Sequence, residues 1–180
     1  MSRSTLAAAL LAALSGSPAL AQTGAPATLA GPSAPLPPGM TEVDRQFMIL
    51  DAQGGAYELE MATLAQQKSS RPDIKAYASM LVQDHTEYNT ALQQLARSKG
   101  VTLPTAMTAQ QQRNLEAMNR QSSGTFDNSF IAEVTRINEE DRKDAQAEAS
   151  STQDPDIKAF LQRFAAMDSK HEQGAKALSR

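Results

Sequence analysis

Arg71-Pro-Asp-Ile-Lys-Ala-Tyr77 and Asp154-Pro-Asp-Ile-Lys-Ala-Phe160 are nearly the same heptapeptide, 83 residues apart. Each has the marks of a helix start. A Pro sits where the missing N–H does no harm, an acid follows it, and apolar residues then recur every three or four positions. Identity at Pro-Asp-Ile-Lys-Ala argues for duplication, with each copy opening the second helix of a hairpin.

Working outward, the apolar spacing predicts four long helices. The first covers 42–68, with Thr41 as N-cap, Asp44 three residues on, and the stripe Phe47, Leu50, Gly54, Tyr57, Met61, Leu64. The second starts at Pro72 and carries Ile74, Ala78, Leu81, His85, Tyr88, Leu92 and Leu95 before the stop signal Lys99-Gly100. The third covers 126–150 behind Phe126, Phe130, Val134 and Ile137. The fourth starts at Pro155 and carries Ile157, Phe160, Phe164, Met167, His171 and Leu178. A long connection before the third holds a short helix at 108–121, and no run alternates with the period of a strand. Two short loops and one long crossover are the connectivity of a ferritin-like four-helix bundle, so the expected fold is all-α. Gly54-Gly55 in mid-helix costs about 1 kcal/mol per Gly relative to Ala. The pair therefore points to the close approach of another helix, or to a kink.

Residues 1–21 read as a secretory signal: Arg3, an apolar run at 6–14, then small residues at Ala19 and Ala21 before Gln22. The run falls short of the roughly 20 apolar residues a membrane span needs. Residues 22–40 contain five Pro, three Gly and no charge, which predicts a disordered linker. The folded domain is then 41–180.

Composition narrows the function classes. The 180 residues carry a formal charge of −3, without the basic excess that nucleic acid requires. There is no Cys, so disulfides, thiolate metal sites and Cys nucleophiles are ruled out. Two histidines cannot build a three-His centre within one chain. Neither a nucleophile elbow, nor a phosphate-cradling loop, nor HExxH is present. The methionines are scattered and read as core filler rather than a copper site.

The order Ala52-Gln-Gly-Gly-x-x-Glu58-x-Glu60, Leu64-Ala65, Ile74-Lys-Ala-Tyr-Ala-x-Met-Leu-Val-Gln-Asp-His85-Thr and Lys99-Gly-Val101 resembles the bacterial family called domain of unknown function 4142. Phe126-Asp127, Asp154-Pro-x-x-Lys-Ala-Phe160 and His171 continue the resemblance, which spans nearly all of 42–178. It implies a ferritin-like bundle and an outer-membrane or periplasmic address, and no established activity. The family's Asp-His pair in the third helix is replaced here by Ile137-Asn138, with Asp141 a turn later.

Both histidines lie on apolar stripes, which face the core of a bundle. The simplest expectation is a pair of neutral core imidazoles. The alternative takes Glu58, His85, Asp168 and His171 as metal ligands, with Asp141 as a fifth candidate. Glu58 is expected about a turn from the level of His85, and Asn138 at the height of Asp168. A ferritin-like di-iron site needs Glu-x-x-His twice, because residues three apart share a face. Val82 precedes His85 at that spacing and Asp168 precedes His171, so the motif is incomplete. The donors would suit iron, zinc or manganese.

Two functional readings follow. The first is an exported, non-enzymatic envelope protein with a binding, structural or stress-related role, no cofactor and an unidentified envelope partner. The second is a metal-binding or redox bundle. A small apolar ligand at the Gly54-Gly55 gap is a third, weaker idea.

Overall fold

The computed structural model describes residues 35–179. The expected signal at 1–21 and most of the expected linker lie outside them. Five helices follow in order: α1 Glu42–Lys68, α2 Pro72–Ser98, α3 Ala109–Asn119, α4 Ser123–Ser151 and α5 Pro155–Leu178.

The helix ends follow local chemistry. Thr41 and Asp44 form a reciprocal capping box at α1, and Thr108 with Gln111 does the same at α3. Asp154 caps α5 by accepting from the N–H groups of Asp156 and Ile157 at 2.9 and 3.1 Å. At α2 the N-cap is Arg71, without a side-chain cap, and Pro72 occupies the first turn. α2 stops where Gly100 takes φ +69° and Val101 N–H returns to the Ala96 carbonyl at 2.8 Å. Only glycine enters that region without strain.

α1 and α2 form one tight hairpin, α4 and α5 the other, and the ring closes through looser α2–α5 and α1–α4 contacts. The Arg71 guanidinium reaches the Leu178 carbonyl at 3.2 Å, and the Lys99 ammonium reaches Asp154 at 2.6 Å. α2 and α5 are therefore antiparallel. Ser123 bonds the Lys68 carbonyl at 3.1 Å, while Asn138 further along α4 bonds Glu58 at 3.2 Å, so α1 and α4 are antiparallel too. The crossover from α2 to α4 thus runs the length of the bundle, and its helix α3 straps across α1 and α4. This is the expected connectivity.

Two apolar clusters fill the bundle. One holds Tyr57, Met61, Ile74, Leu81, Phe126, Phe130 and Val134. The other holds Met48, Tyr88, Leu92, Ile157, Phe160 and Leu161, with Leu36 and Met40 from the end of the expected linker packed into it. Between them lies a layer of buried polar side chains: Glu58, His85, Asn138 and His171.

The face of α1 differs from expectation. Leu50, placed on the inner stripe, is 56% exposed, whereas Asp44, Met48, Glu58, Ala62 and Ala65 are buried. Two inward positions of this helix carry carboxylates, so apolar residues alone misplace its inner face. The glycine pair also divides. A Cβ on Gly55 would stand 2.1 Å from Asn89 Oδ1, the close approach anticipated, while one on Gly54 meets nothing within 4 Å.

Candidate functional site

Each helix of the ring contributes to the polar layer. Glu58 comes from α1, His85 and Tyr88 from α2, Asn138 and Asp141 from α4, Asp168 and His171 from α5. Both histidines are buried, as their stripes require. Their rings lie 5.2 Å apart, tilted by 42°.

Glu58 and His85 touch, closer than the spacing suggested. Nε2 of His85 lies 3.4 Å from Oε2 of Glu58, near enough for an ion pair but not aligned for a hydrogen bond. Asn138 donates to the same carboxylate oxygen at 3.2 Å and to the Val134 carbonyl at 3.0 Å. Its partner is therefore Glu58, rather than the Asp168 its height suggested. Burial opposes the charge on Glu58, and the His85 imidazolium overcomes it, holding the carboxyl below its ordinary range. Burial likewise pushes His85 down, and the Glu58 carboxylate reverses this and raises it.

His171 is engaged differently. Its Nε2 lies 2.9 Å from Asp84 Oδ2, and Lys170 donates to the same oxygen at 3.0 Å. Burial opposes the Asp84 charge, and these two bonds keep the carboxyl ionised below its usual range. An ionised Asp84 can only accept, so Nε2 carries the proton. Burial lowers the His171 pKa despite Asp84, which leaves a neutral ring with a lone pair on Nδ1. That nitrogen is buried and has no hydrogen-bond partner; the same is true of both ring nitrogens of His85.

A cavity of about 140 Å³ opens beside this layer. Asp51, Glu58, Asp141, Asp144 and Asp168 line it together with His85, Tyr88 and Met167, and no Lys or Arg does. The carboxylates raise one another. Burial, then Glu58, Asp51 and Asp168, push Asp141 up to about 9. Burial lifts Asp51 to about 7, against the phenol of Tyr88 that donates to it. Asp168 also reaches about 7, through burial and then the charges of Glu58 and Asp51. Without an added cation the cavity therefore holds protons near neutrality.

Of the sequence candidates, Glu58, His85, Asp141 and Asp168 all line the cavity, whereas His171 stands behind His85 and turns Nε2 to Asp84. Asp51, Asp84 and Tyr88 were missed as site residues. Asp51 had a signal: it precedes Glu58 by two helical turns and shares its face. The repeat held another. At the same 83-residue offset, Glu58 corresponds to Asp141 and His85 to Asp168.

The residues could bring oxygen and nitrogen donors to one ion. Among the described residues, no three His, Asp or Glu side chains are already gathered at a single point.

Fold and site together define a four-helix bundle with a buried carboxylate–histidine cavity. Residues 29–178 match the model for the Domain of unknown function (DUF4142), and the chain belongs to that family. No curated protein matches the sequence. Among solved structures, the chain is similar to a DUF305 fragment from Deinococcus radiodurans, with 12% identity, TM-score 0.70, and coverage of 79% of this chain and 99% of that one. It is also similar to CopM in the Cu(I)-bound form, with 17% identity, TM-score 0.63, and coverage of 74% and 93%. At such identities these likenesses speak for the fold alone. None of the described helices is long and apolar enough to cross a membrane.

Proposed function

We propose that this protein is a non-enzymatic metal-binding module of the cell envelope, taking one divalent transition-metal ion into the cavity between its helices. One observation carries the reading. Five carboxylates and the His85 imidazole, whose nitrogens make no hydrogen bond, line a cavity to which no Lys or Arg contributes. A buried carboxylate needs a positive partner; His85 serves Glu58, and a bound cation would serve the others.

Glu58, His85, Asp141 and Asp168 are the ligand set. Asn138 positions Glu58 through its 3.2 Å bond. His171, oriented by Asp84, packs against His85 from behind. Bonding a ligand from behind in this way fixes ring orientation and tunes affinity. CopM, a neighbour in fold, was captured with Cu(I). The donors here favour a different ion. Met167 is the one thioether on the cavity wall; carboxylate with imidazole suits iron, zinc or manganese, whereas Cu(I) selects sulfur. The export expected from residues 1–21 would carry this capacity across the inner membrane.

Protein purified from its own compartment, assayed for bound metal beside His85→Ala/Asp168→Ala, tests the reading. Near-stoichiometric iron, zinc or manganese in the wild type alone is the expected result. At free metal about 100 times Kd, binding stabilises by about 2.7 kcal/mol, so the wild-type Tm should rise with added metal. Protein that is empty, and whose Tm ignores all three ions, overturns it.

A further inference from the structure

Resting on the metal reading, we propose that the seam between α1 and α4 at Gly54 is the way an ion enters and leaves the cavity, and that Gly54 is kept small to hold it open. Packing accounts for the other two glycines inside the long helices that have close neighbours. A Cβ at Gly55 would collide with Asn89 at 2.1 Å, and one at Gly174 with the Tyr77 ring at 2.6 Å. Gly54 has no such neighbour. It weakens α1 and relieves no crowding, so packing does not explain its smallness; Gly124 is equally open but lies in the first turn of α4 and borders neither cavity nor groove.

The reason lies in what it borders. Outside the bundle, an open groove of about 260 Å³ runs between α1, α3 and α4. Leu50, Gly54 and Asp141 line that groove and the inner cavity alike. They mark the place where outside meets inside. The seam lies where the ring of helices is loosest, between α1 and α4 rather than within either hairpin. The groove also has the right charge. Glu133 and Glu140 hold Arg136 between them at 2.8 and 2.5 Å, so two carboxylates face the single cation, and Asp141 stands beyond them. An incoming cation meets Glu140, then Asp141, then Glu58, with Gly54 and Leu50 as the opposite wall. Asp141 is thus both the last residue of the path and the first ligand of the site.

Rapid mixing with Co²⁺, read by the visible absorption of the bound ion and followed by a chase into excess chelator, separates path from site. In Gly54→Leu the side chain fills the seam. Uptake and release should both slow by roughly tenfold, leaving Kd unchanged, because a gate alters rates in both directions. In Leu50→Ala, a change at an exposed position, both rates should rise together. Variants that load and release at the wild-type rates overturn the path while leaving the metal site standing. Slower uptake with faster release also overturns it, since that pattern means damaged ligands. Wild-type protein that takes up no Co²⁺ removes the site, and the path with it.

Discussion

Three Gly→Ala substitutions, each inside a long helix, should have different consequences, and the surroundings of each Cβ set the size. Ala is favoured over Gly in a helix interior by about 1 kcal/mol. At Gly54 nothing lies within 4 Å of the new methyl, so Gly54→Ala should gain most of that amount. At Gly55 the methyl meets Asn89 Oδ1 at 2.1 Å, and the Asn89 amide that donates to the Gly55 carbonyl at 3.1 Å must swing away. Losing one such bond costs about 0.5–1.5 kcal/mol, so Gly55→Ala should come out near neutral. At Gly174 the methyl meets Tyr77 Cε2 at 2.6 Å and Cδ2 at 3.2 Å. That ring cannot retreat without breaking its 2.6 Å hydroxyl bond to the His171 carbonyl. Overpacking costs about 1–3 kcal/mol, and the lost bond adds to it, so Gly174→Ala should be destabilised by about 1–3 kcal/mol after the helix gain. Urea unfolding followed by far-ultraviolet circular dichroism, at constant m, reads all three. Loss of stability in Gly54→Ala would refute the open seam, and a stable Gly174→Ala would refute the contact with Tyr77.

Two further changes probe the polar groups. Asn138→Ala removes a 1%-exposed amide that supports Glu58, and should cost about 1–3 kcal/mol; a change below 0.5 kcal/mol on the same urea curve would show the amide to be dispensable. Glu148, buried against Asp44 at the far end of α4, is raised by burial and then by Asp44 to about 7, from an ordinary 4.5. A raised acid contributes stability below its unfolded pKa and loses it as pH climbs through the folded value. Wild-type Tm should therefore fall relative to Glu148→Gln between pH 5 and pH 8, and a constant gap between the two melting curves would remove this pair as the cause.

The helix boundaries were legible because short-range chemistry sets them. Pro72 and Pro155 open helices, Thr41 with Asp44 closes a capping box, and Gly100 ends α2. The connectivity followed from the repeat and the long crossover. The inner face of α1 was hidden because burial there is partly polar. Glu58 was a candidate through its height beside His85, but Asp51 looks like a solvent-facing charge until α2, α4 and α5 bring Tyr88, His85, Asp141 and Asp168 into the same layer. The histidines were placed inside correctly. Their unequal roles depend on Asp84, which immediately precedes His85 on α2 but faces α5 to bond His171, a pairing across 87 residues that no local spacing encodes. Likewise, only the packed structure separates Gly55 from Gly54.

The antiparallel ring has an electrical consequence for what lies at its centre. Each helix carries a partial positive charge at its start and a negative one at its end, confined to the outer turns. With every neighbour reversed, each positive end stands beside two negative ends, and the fields largely cancel along the axis. Glu58, His85, Asp141 and Asp168 all sit well inside their helices, away from these ends. The potential they experience is therefore made by side chains rather than by the scaffold. A scaffold of this kind is electrically neutral towards its contents: a change at one or two inward positions can turn a cation site into an empty polar layer, or the reverse, with the helices left as they are.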